Sequence, residues 1–376
     1  MHKMGPVGLA ALALAGLTSC GGGVGTVNTP TPIATPTPVP TPSPTPPPAP
    51  LATCATAPTG KEHWPVWNPG TTYAADVARG VKAYADGVHD WKFYQVPGGY
   101  IANGPYVTFA SFAAIGADTR YDDGGVPQVL HAGAWVYNPV TIAQYILYHH
   151  TMYTRGVPLP SAFWAAIGKL QAMQRADGAY AYDYEFDGMK PGWTSAMAQG
   201  QVLSAMARAY LLSGDRSLID TGNRSLEFML KPAAEGGNRG DMRDLDPSLA
   251  DYVALSEYEH SVSPHTLNGF LFTLFGLYDW AALAKERPGL GVKGDLAQAY
   301  FNCGVHTAAS TLHYYDIGGF SVYDMRTVLK MGEAGVSPTY HKIHLAQITA
   351  LYAMTGRPEF LQWAKVWAAS VGQPIP

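Results

Sequence analysis

The sequence predicts a mainly α protein, an α/α toroid of antiparallel helix hairpins with short β-strands in its loops. Three observations carry that expectation. Apolar residues recur at helical spacing through most of the chain. The helical stretches follow one another in pairs, and few runs alternate as strands do. Several open on a start signal, a Ser, Thr or Asn with proline beside it, as in Tyr137-Asn138-Pro139, Ser261-Val262-Ser263-Pro264-His265 and Pro338-Thr339-Tyr340-His341. Helices are expected over Tyr73–His89, Pro139–Tyr153, Ser161–Gln174, Ser195–Leu212, Ser217–Leu230, His265–Lys285, Asp295–Leu312, Tyr340–Met354 and Pro358–Ala369. Strand-like pieces fall at Tyr106–Phe109, Ala179–Tyr184 and Phe320–Tyr323. Hairpins stacked about one axis close naturally into a toroid. The N-termini of the inner helices would then face one end, where free amides and the helix dipole favour an anion.

The chain ahead of these helices divides by composition. Residues 1–20 read as an export signal, with a basic start at Met1-His2-Lys3-Met4, an apolar stretch from Gly5 to Gly16, and the ending Leu17-Thr18-Ser19-Cys20. That ending resembles a bacterial lipoprotein signal, in which Cys20 takes the lipid. The apolar stretch falls short of the ~20 residues needed to span a bilayer. Residues 21–54 form a glycine and then Thr/Pro-rich linker, a semi-rigid polyproline II spacer. Residues 55–134 are expected to pack on the body, and 135–376 to form the toroid itself. The implied location is outside the cytoplasm, on a membrane-anchored lipoprotein facing the periplasm or cell surface.

A hydrophobic content of 47% with 14% charged residues fits a large compact body. The net charge of −4 gives no support for nucleic-acid binding, and it requires any anionic ligand to be met by local basic groups. Beyond Cys20 the cysteines are Cys54 and Cys303, which form either one disulfide or two unrelated thiols. No Cys-x-x-Cys pair is present, and no carboxylate or cysteine stands near His341 and His344 in sequence. Neither a metal nor another cofactor is therefore expected.

The chemistry concentrates between Tyr314 and His344, where Tyr314, Tyr315, Tyr323, Arg326, Tyr340, His341, Lys342 and His344 gather. Phenols give and take protons, and a guanidinium holds a carboxylate bidentately. Together they suit proton transfer at a carbon beside a carboxylate. Four segments in order then resemble the D-glucuronyl C5-epimerase family, in its C-terminal catalytic domain. They are Pro139 with Ile142-Ala143-Gln144-Tyr145; Gly192-Trp193-Thr194-Ser195 through Gln201; Leu267-Asn268-Gly269-Phe270 with Gly276-Leu277-Tyr278-Asp279; and Tyr323-Asp324-Met325-Arg326 with Tyr340-His341-Lys342-Ile343-His344.

That resemblance implies an isomerase that inverts C5 of D-glucuronate units in a heparosan-like polysaccharide. It places the catalytic tyrosines at Tyr323 and Tyr340, the arginine at Arg326, and a glutamate at Glu257, with Glu259 its rival. Arg326 is expected to stabilise developing charge and to lower a neighbouring tyrosine pKa. Substrate contacts are expected from Tyr137, Asn138, Trp193, Gln199, Asn268, His341, Lys342 and His344. The implied partners are an acidic polysaccharide and, through the lipid anchor alone, a membrane; a homodimer is compatible with the sequence. Two other readings share these features, a polysaccharide lyase on the same scaffold and a non-catalytic polysaccharide-binding lipoprotein. A glycoside hydrolase would use paired carboxylates, for which Asp183, Glu185 and Asp187 are the available set.

Overall fold

The computed structural model of the chain describes residues 54–87, 99–108, 112, 118–260 and 263–375. The expected export signal, its Cys20, and the linker up to Cys54 lie outside the described residues. Among the described residues are nine α-helices and seven short strands, so the protein is mainly α. After α1 (Ala74–Asp86) comes a three-stranded antiparallel sheet, β1 (Thr119–Tyr121), β2 (Pro127–His131) and β3 (Ala134–Val136). Four helix pairs follow: α2 (Pro139–Thr154) with α3 (Ala162–Met173), α4 (Ala196–Ser213) with α5 (Ser217–Leu230), α6 (Leu267–Glu286) with α7 (Gly294–Thr311), and α8 (Pro338–Thr355) with α9 (Pro358–Ser370). Two-stranded ribbons lead into α4 and α6: β4 (Ala181–Tyr182) with β5 (Trp193–Thr194), and β6 (Arg239–Asp241) with β7 (Val253–Leu255).

Burial separates the two members of each pair. On α4 every residue from Ala196 to Ala209 is buried, and on α6 every residue from Leu267 to Leu277. A helix that is apolar on all sides belongs in the interior. The partner α9 buries only Phe360, Ala364, Trp367 and Ala368, one stripe of an outer helix. Accordingly α2 packs on α4, α4 on α6, and α6 on α8, while each outer helix lies against its inner partner. Small residues bring the inner helices close. A methyl group at Gly276 would overlap the Gly200 carbonyl, and one at Gly200 would meet the Thr273 backbone.

Two of the three start signals act as expected, whereas α6 opens after Thr266 with no side-chain cap. Asn138 accepts from the Thr141 amide ahead of α2, and Ser337 caps α8 through the Tyr340 amide, each with proline at the first turn. Gly214 and Gly356 end α4 and α8 in the left-handed conformation, at φ 71° and 66°.

The strand expectations are corrected in part. Only Ala181–Tyr182 of the Ala179–Tyr184 run is a strand. Residues 106–108 pair with no strand, because the Tyr106 amide is taken by the Thr151 hydroxyl, and Phe109 lies outside the described residues. Phe320–Tyr323 contributes a single bridge, Ser321 to Asp316; the Val322 amide donates to the Tyr315 carbonyl and the Ser321 amide to His341 Nδ1, and only Tyr323 bonds to helix lead-ins. The β1–β3 sheet was not anticipated as strands, although Ala132-Gly133, both at positive φ, form the tight turn joining β2 to β3.

Two long-range ties hold the N-terminal segment to the helices. Cys54 and Cys303 form a disulfide with Cα atoms 5.8 Å apart, which resolves the alternative left open by the sequence. It closes a loop of 249 residues, and such crosslinks typically stabilise by about 2–4 kcal/mol. The second tie is the carboxylate of Asp279 on α6, buried and ion-paired at 2.6 Å with Arg208 on α4. Asp279 also accepts from Ser204 (2.7 Å), Tyr100 (2.8 Å) and the Asn103 amide (3.1 Å).

Candidate active site

Three chain segments meet where α6 and α8 begin. The chain leaving β7 delivers Glu257 and Tyr258. The 323–326 segment is stitched between two helix lead-ins. Leu267 donates to the Tyr323 carbonyl, Met325 to that of Pro264, and Tyr323 itself to that of Gly335. The first turn of α8 supplies Tyr340, held in place by the Ser337 cap. The Tyr258 and Tyr323 hydroxyls lie 2.7 Å apart, and the Tyr323 and Tyr340 rings touch with centroids 4.3 Å apart. Residues separated by more than eighty positions thus form one phenolic cluster around a carboxyl.

Glu257 is seated by an absence. A methyl group at Gly269 on α6 would overlap the Glu257 carboxyl, so only glycine leaves it room. Its Oε2 is enclosed without a hydrogen-bond partner. Burial pushes this carboxyl up to about 8; a hydrogen bond from Tyr258 opposes the rise and the nearby Asp324 charge adds to it. Asp324 is itself raised by burial, against the pull of Arg326. Tyr258, Tyr323 and Tyr340 are all raised as well, first by burial and then by the charge of Glu257. At neutral pH the cluster therefore holds three protonated phenols and a carboxyl of unusually high proton affinity.

This corrects the expectation that Arg326 lowers a tyrosine pKa. Its guanidinium is engaged with carboxylates instead, its Nε 3.0 Å from Asp324 and its Nη2 3.4 Å from Asp187. His260 reaches the same Asp187 oxygen at 3.3 Å. Arg326 remains 30% exposed, so the guanidinium borders solvent at the edge of the cluster.

The structure brings Glu257, Tyr323, Arg326 and Tyr340 together and adds Tyr258, which the sequence reading passed over although it directly follows Glu257. Glu259, the rival carboxylate, is exposed and bonded to Thr194, so Glu257 has the better seat. The expected substrate contacts divide. Trp193 is buried, with Tyr182 stacked on its face at 3.8 Å, which takes the surface a sugar would need. Tyr137 binds Asp122 at 2.6 Å under the Lys169 ammonium, and Asn138 caps α2 while donating to Tyr184. Gln199 is fully buried and accepts from Ser225 on α5. His341 and His344 share the Ser321 hydroxyl in the interior and are depressed by burial, so they are neutral packing groups. Lys342 is buried beside them on α8. Asn268, next to Gly269, keeps an unpartnered Oδ1 at the start of α6.

Gly269→Ala is expected to lower turnover about a hundredfold, the scale of effect that misplacing a catalytic group by ~1 Å produces. Alanine's helix preference over glycine, about 0.5–1 kcal/mol, offsets only part of the overpacking cost of about 1–3 kcal/mol, so the variant should stay folded with a modestly lower unfolding temperature. Full turnover in a folded variant would show that the position of Glu257 does not matter.

Comparison with known proteins places this cluster in a family. The profile of the D-glucuronyl C5-epimerase C-terminus matches residues 173–369, just over half of the chain, and encloses every member of the cluster. A D-glucuronyl C5-epimerase of Caenorhabditis elegans is 28% identical over 249 residues, covering 61% of this chain and 37% of that protein. An uncharacterised protein of Methanocaldococcus jannaschii is 24% identical over 190 residues, covering 50% of this chain and 56% of its own. The chain thus spans well under two thirds of the length of these curated relatives. Among solved structures, a GH76 α-mannanase of Bacteroides thetaiotaomicron gives a TM-score of 0.41 at 12% identity, over 81% of this chain and 72% of its own.

Proposed function

The chain belongs to the family of the D-glucuronyl C5-epimerase C-terminus, and from that premise we propose that it is a uronosyl C5-epimerase acting on D-glucuronate units of a heparosan-like polysaccharide. The observation that carries the reading is the high-affinity carboxyl of Glu257 set against a chain of protonated phenols. Epimerisation breaks one C5–H bond and forms another on the opposite face, with no net redox change. Ionised Glu257 takes the C5 proton. The negative charge that builds on the substrate carboxylate is met by Arg326. A phenol, Tyr323 or Tyr340, then delivers a proton to C5. The bonded hydroxyls of Tyr258 and Tyr323 offer the proton held by Glu257 a way back to the phenolate, which restores both groups. Inner and outer helix rows support reading the fold as an α/α toroid, with the cluster where the inner helices α6 and α8 start.

Incubation with heparosan in deuterated water tests the proposal. Deuterium at C5 with conserved chain length is the expected result. A new unsaturated, ultraviolet-absorbing end would instead identify a lyase, and no exchange on any uronan would exclude both.

The raised carboxyl also sets a pH dependence. The ionised base grows as pH rises through about 8, so kcat/KM for exchange should climb nearly tenfold per unit below that value and level above it. The sign for stability is opposite. A carboxyl raised from 4.5 to about 8 binds its proton more tightly in the folded state, so folding loses stability across that window as pH rises. A pH-independent exchange rate between 6 and 9 would remove Glu257 as the base.

A further inference from the structure

Arg326 meets two carboxylates of different standing. Asp324 takes its Nε at 3.0 Å and also accepts from the Arg326 amide at 3.1 Å, with only 4% of the Asp324 side chain exposed. That contact lies within one short segment and is fixed. Asp187 reaches the other end of the guanidinium, its Oδ2 3.4 Å from Nη2, on a side chain that is 33% exposed. His260 approaches the same oxygen at 3.3 Å. Both distances are long against the ~2.7–2.9 Å of a well-formed charge-assisted bond, and exposed ion pairs stabilise little. The Asp187 contact is therefore the weaker of the two. With Nε taken by Asp324, a bidentate carboxylate has only the Nη1 and Nη2 end to use, and Asp187 stands there.

Asp187 comes from the tip of a hairpin. Residues 183–192 join β4 to β5, and within them Phe186 and Met189 exchange both backbone hydrogen bonds, at 3.1 and 2.8 Å. Asp187 and Gly188 between them have positive φ, 46° and 79°, as a two-residue Asp-Gly turn requires. Phe186 stacks on Tyr258 with ring centroids 5.7 Å apart, so the hairpin rests on the phenolic cluster as well as on Arg326. Of residues 183–192 only Met189 is buried, and a segment with so few buried contacts opens at low cost.

Resting on the epimerase reading above, we propose that Asp187 is a built-in competitor for the substrate carboxylate: the hairpin holds it on Arg326 in the free protein, and a bound uronate displaces it. One carboxylate replaces another, so the charge balance at Arg326 is the same before and after. The guanidinium stays oriented until substrate arrives. In return, apparent affinity falls by the factor by which the open form is scarce.

Asp187→Asn tests this. Asparagine adopts positive φ readily and keeps the size of aspartate, but it has no charge with which to hold Arg326. The variant is expected to bind a heparosan oligosaccharide about 2–5-fold more tightly by titration calorimetry, the scale of an exposed ion pair. KM for C5 deuterium exchange should fall by a like factor at unchanged kcat. A purely structural Asp187 gives the opposite sign, because an unsupported Arg326 would weaken binding or lower kcat. Equal or weaker binding, or a lower kcat, overturns the competitor. If Asp187→Asn does not fold, His260→Ala removes one of the two partners of Asp187 and must shift affinity in the same direction. Tighter binding with no exchange on any uronan would keep the competitor and remove the epimerase reading, whereas exchange with unmoved affinity does the reverse.

Discussion

Glu257→Gln is expected to lower C5 exchange by about 10³-fold, within the 10²–10⁴ range that a positioned acid–base group supplies. Glutamine has the same size and fills the space that Gly269 leaves open, yet it cannot accept the C5 proton. The loss should fall on kcat more than on KM, because the interaction belongs to the transition state. The same substitution removes a carboxyl that resists ionisation in the fold. The variant should therefore be at least as stable as the parent at pH 9, while the two converge near pH 5. Lost exchange with retained alkaline stability identifies a catalytic group rather than a structural one. Activity within tenfold of the parent would move the base elsewhere, with Tyr258 the next group to test, since its hydroxyl joins the same chain.

The helices were legible in the sequence because their signals are local. Asn138-Pro139 and Ser337-Pro338 announce α2 and α8 through caps that operate within one turn, and glycines at 214 and 356 close their helices the same way. The site was legible where a side chain's chemistry is rare in a packed core, as at Tyr323, Arg326 and Tyr340. It failed where tertiary contacts decide what a side chain does. His341 and His344 look like site groups in the sequence but turn inward onto Ser321, and Trp193 has its face covered by Tyr182. Gly269 carries no chemistry at all. Its role appears only when Glu257, twelve positions earlier, is seen resting against it. The small β1–β3 sheet escaped because strands of three to five residues are too short for an alternating pattern to stand out.

The largest expected effect on stability lies at Asp279, a second buried carboxyl whose surroundings are the reverse of those of Glu257. Asp279 is completely enclosed and accepts four hydrogen bonds, including one from the Arg208 guanidinium at 2.6 Å. Asp279→Ala would strand that guanidinium, also fully buried, with only the Gly104 and Ser204 carbonyls and the Tyr100 hydroxyl left around it. Breaking such a pair from one side costs about 3–5 kcal/mol, a large part of the ~5–15 kcal/mol that usually holds a domain together. Because Tyr100 and Asn103 reach α6 through the same carboxylate, residues 99–104 should lose hydrogen-exchange protection before the inner helices do. The double variant Arg208→Met with Asp279→Leu removes both charges at once and should recover much of the loss, since apolar replacement of a whole buried pair is often neutral. If the single variant unfolds at the parent's temperature, the pair contributes nothing. If the double variant is no better than the single one, the cost arises from the Tyr100 and Asn103 bonds, and the carboxylate serves to fasten the N-terminal segment rather than to balance the arginine.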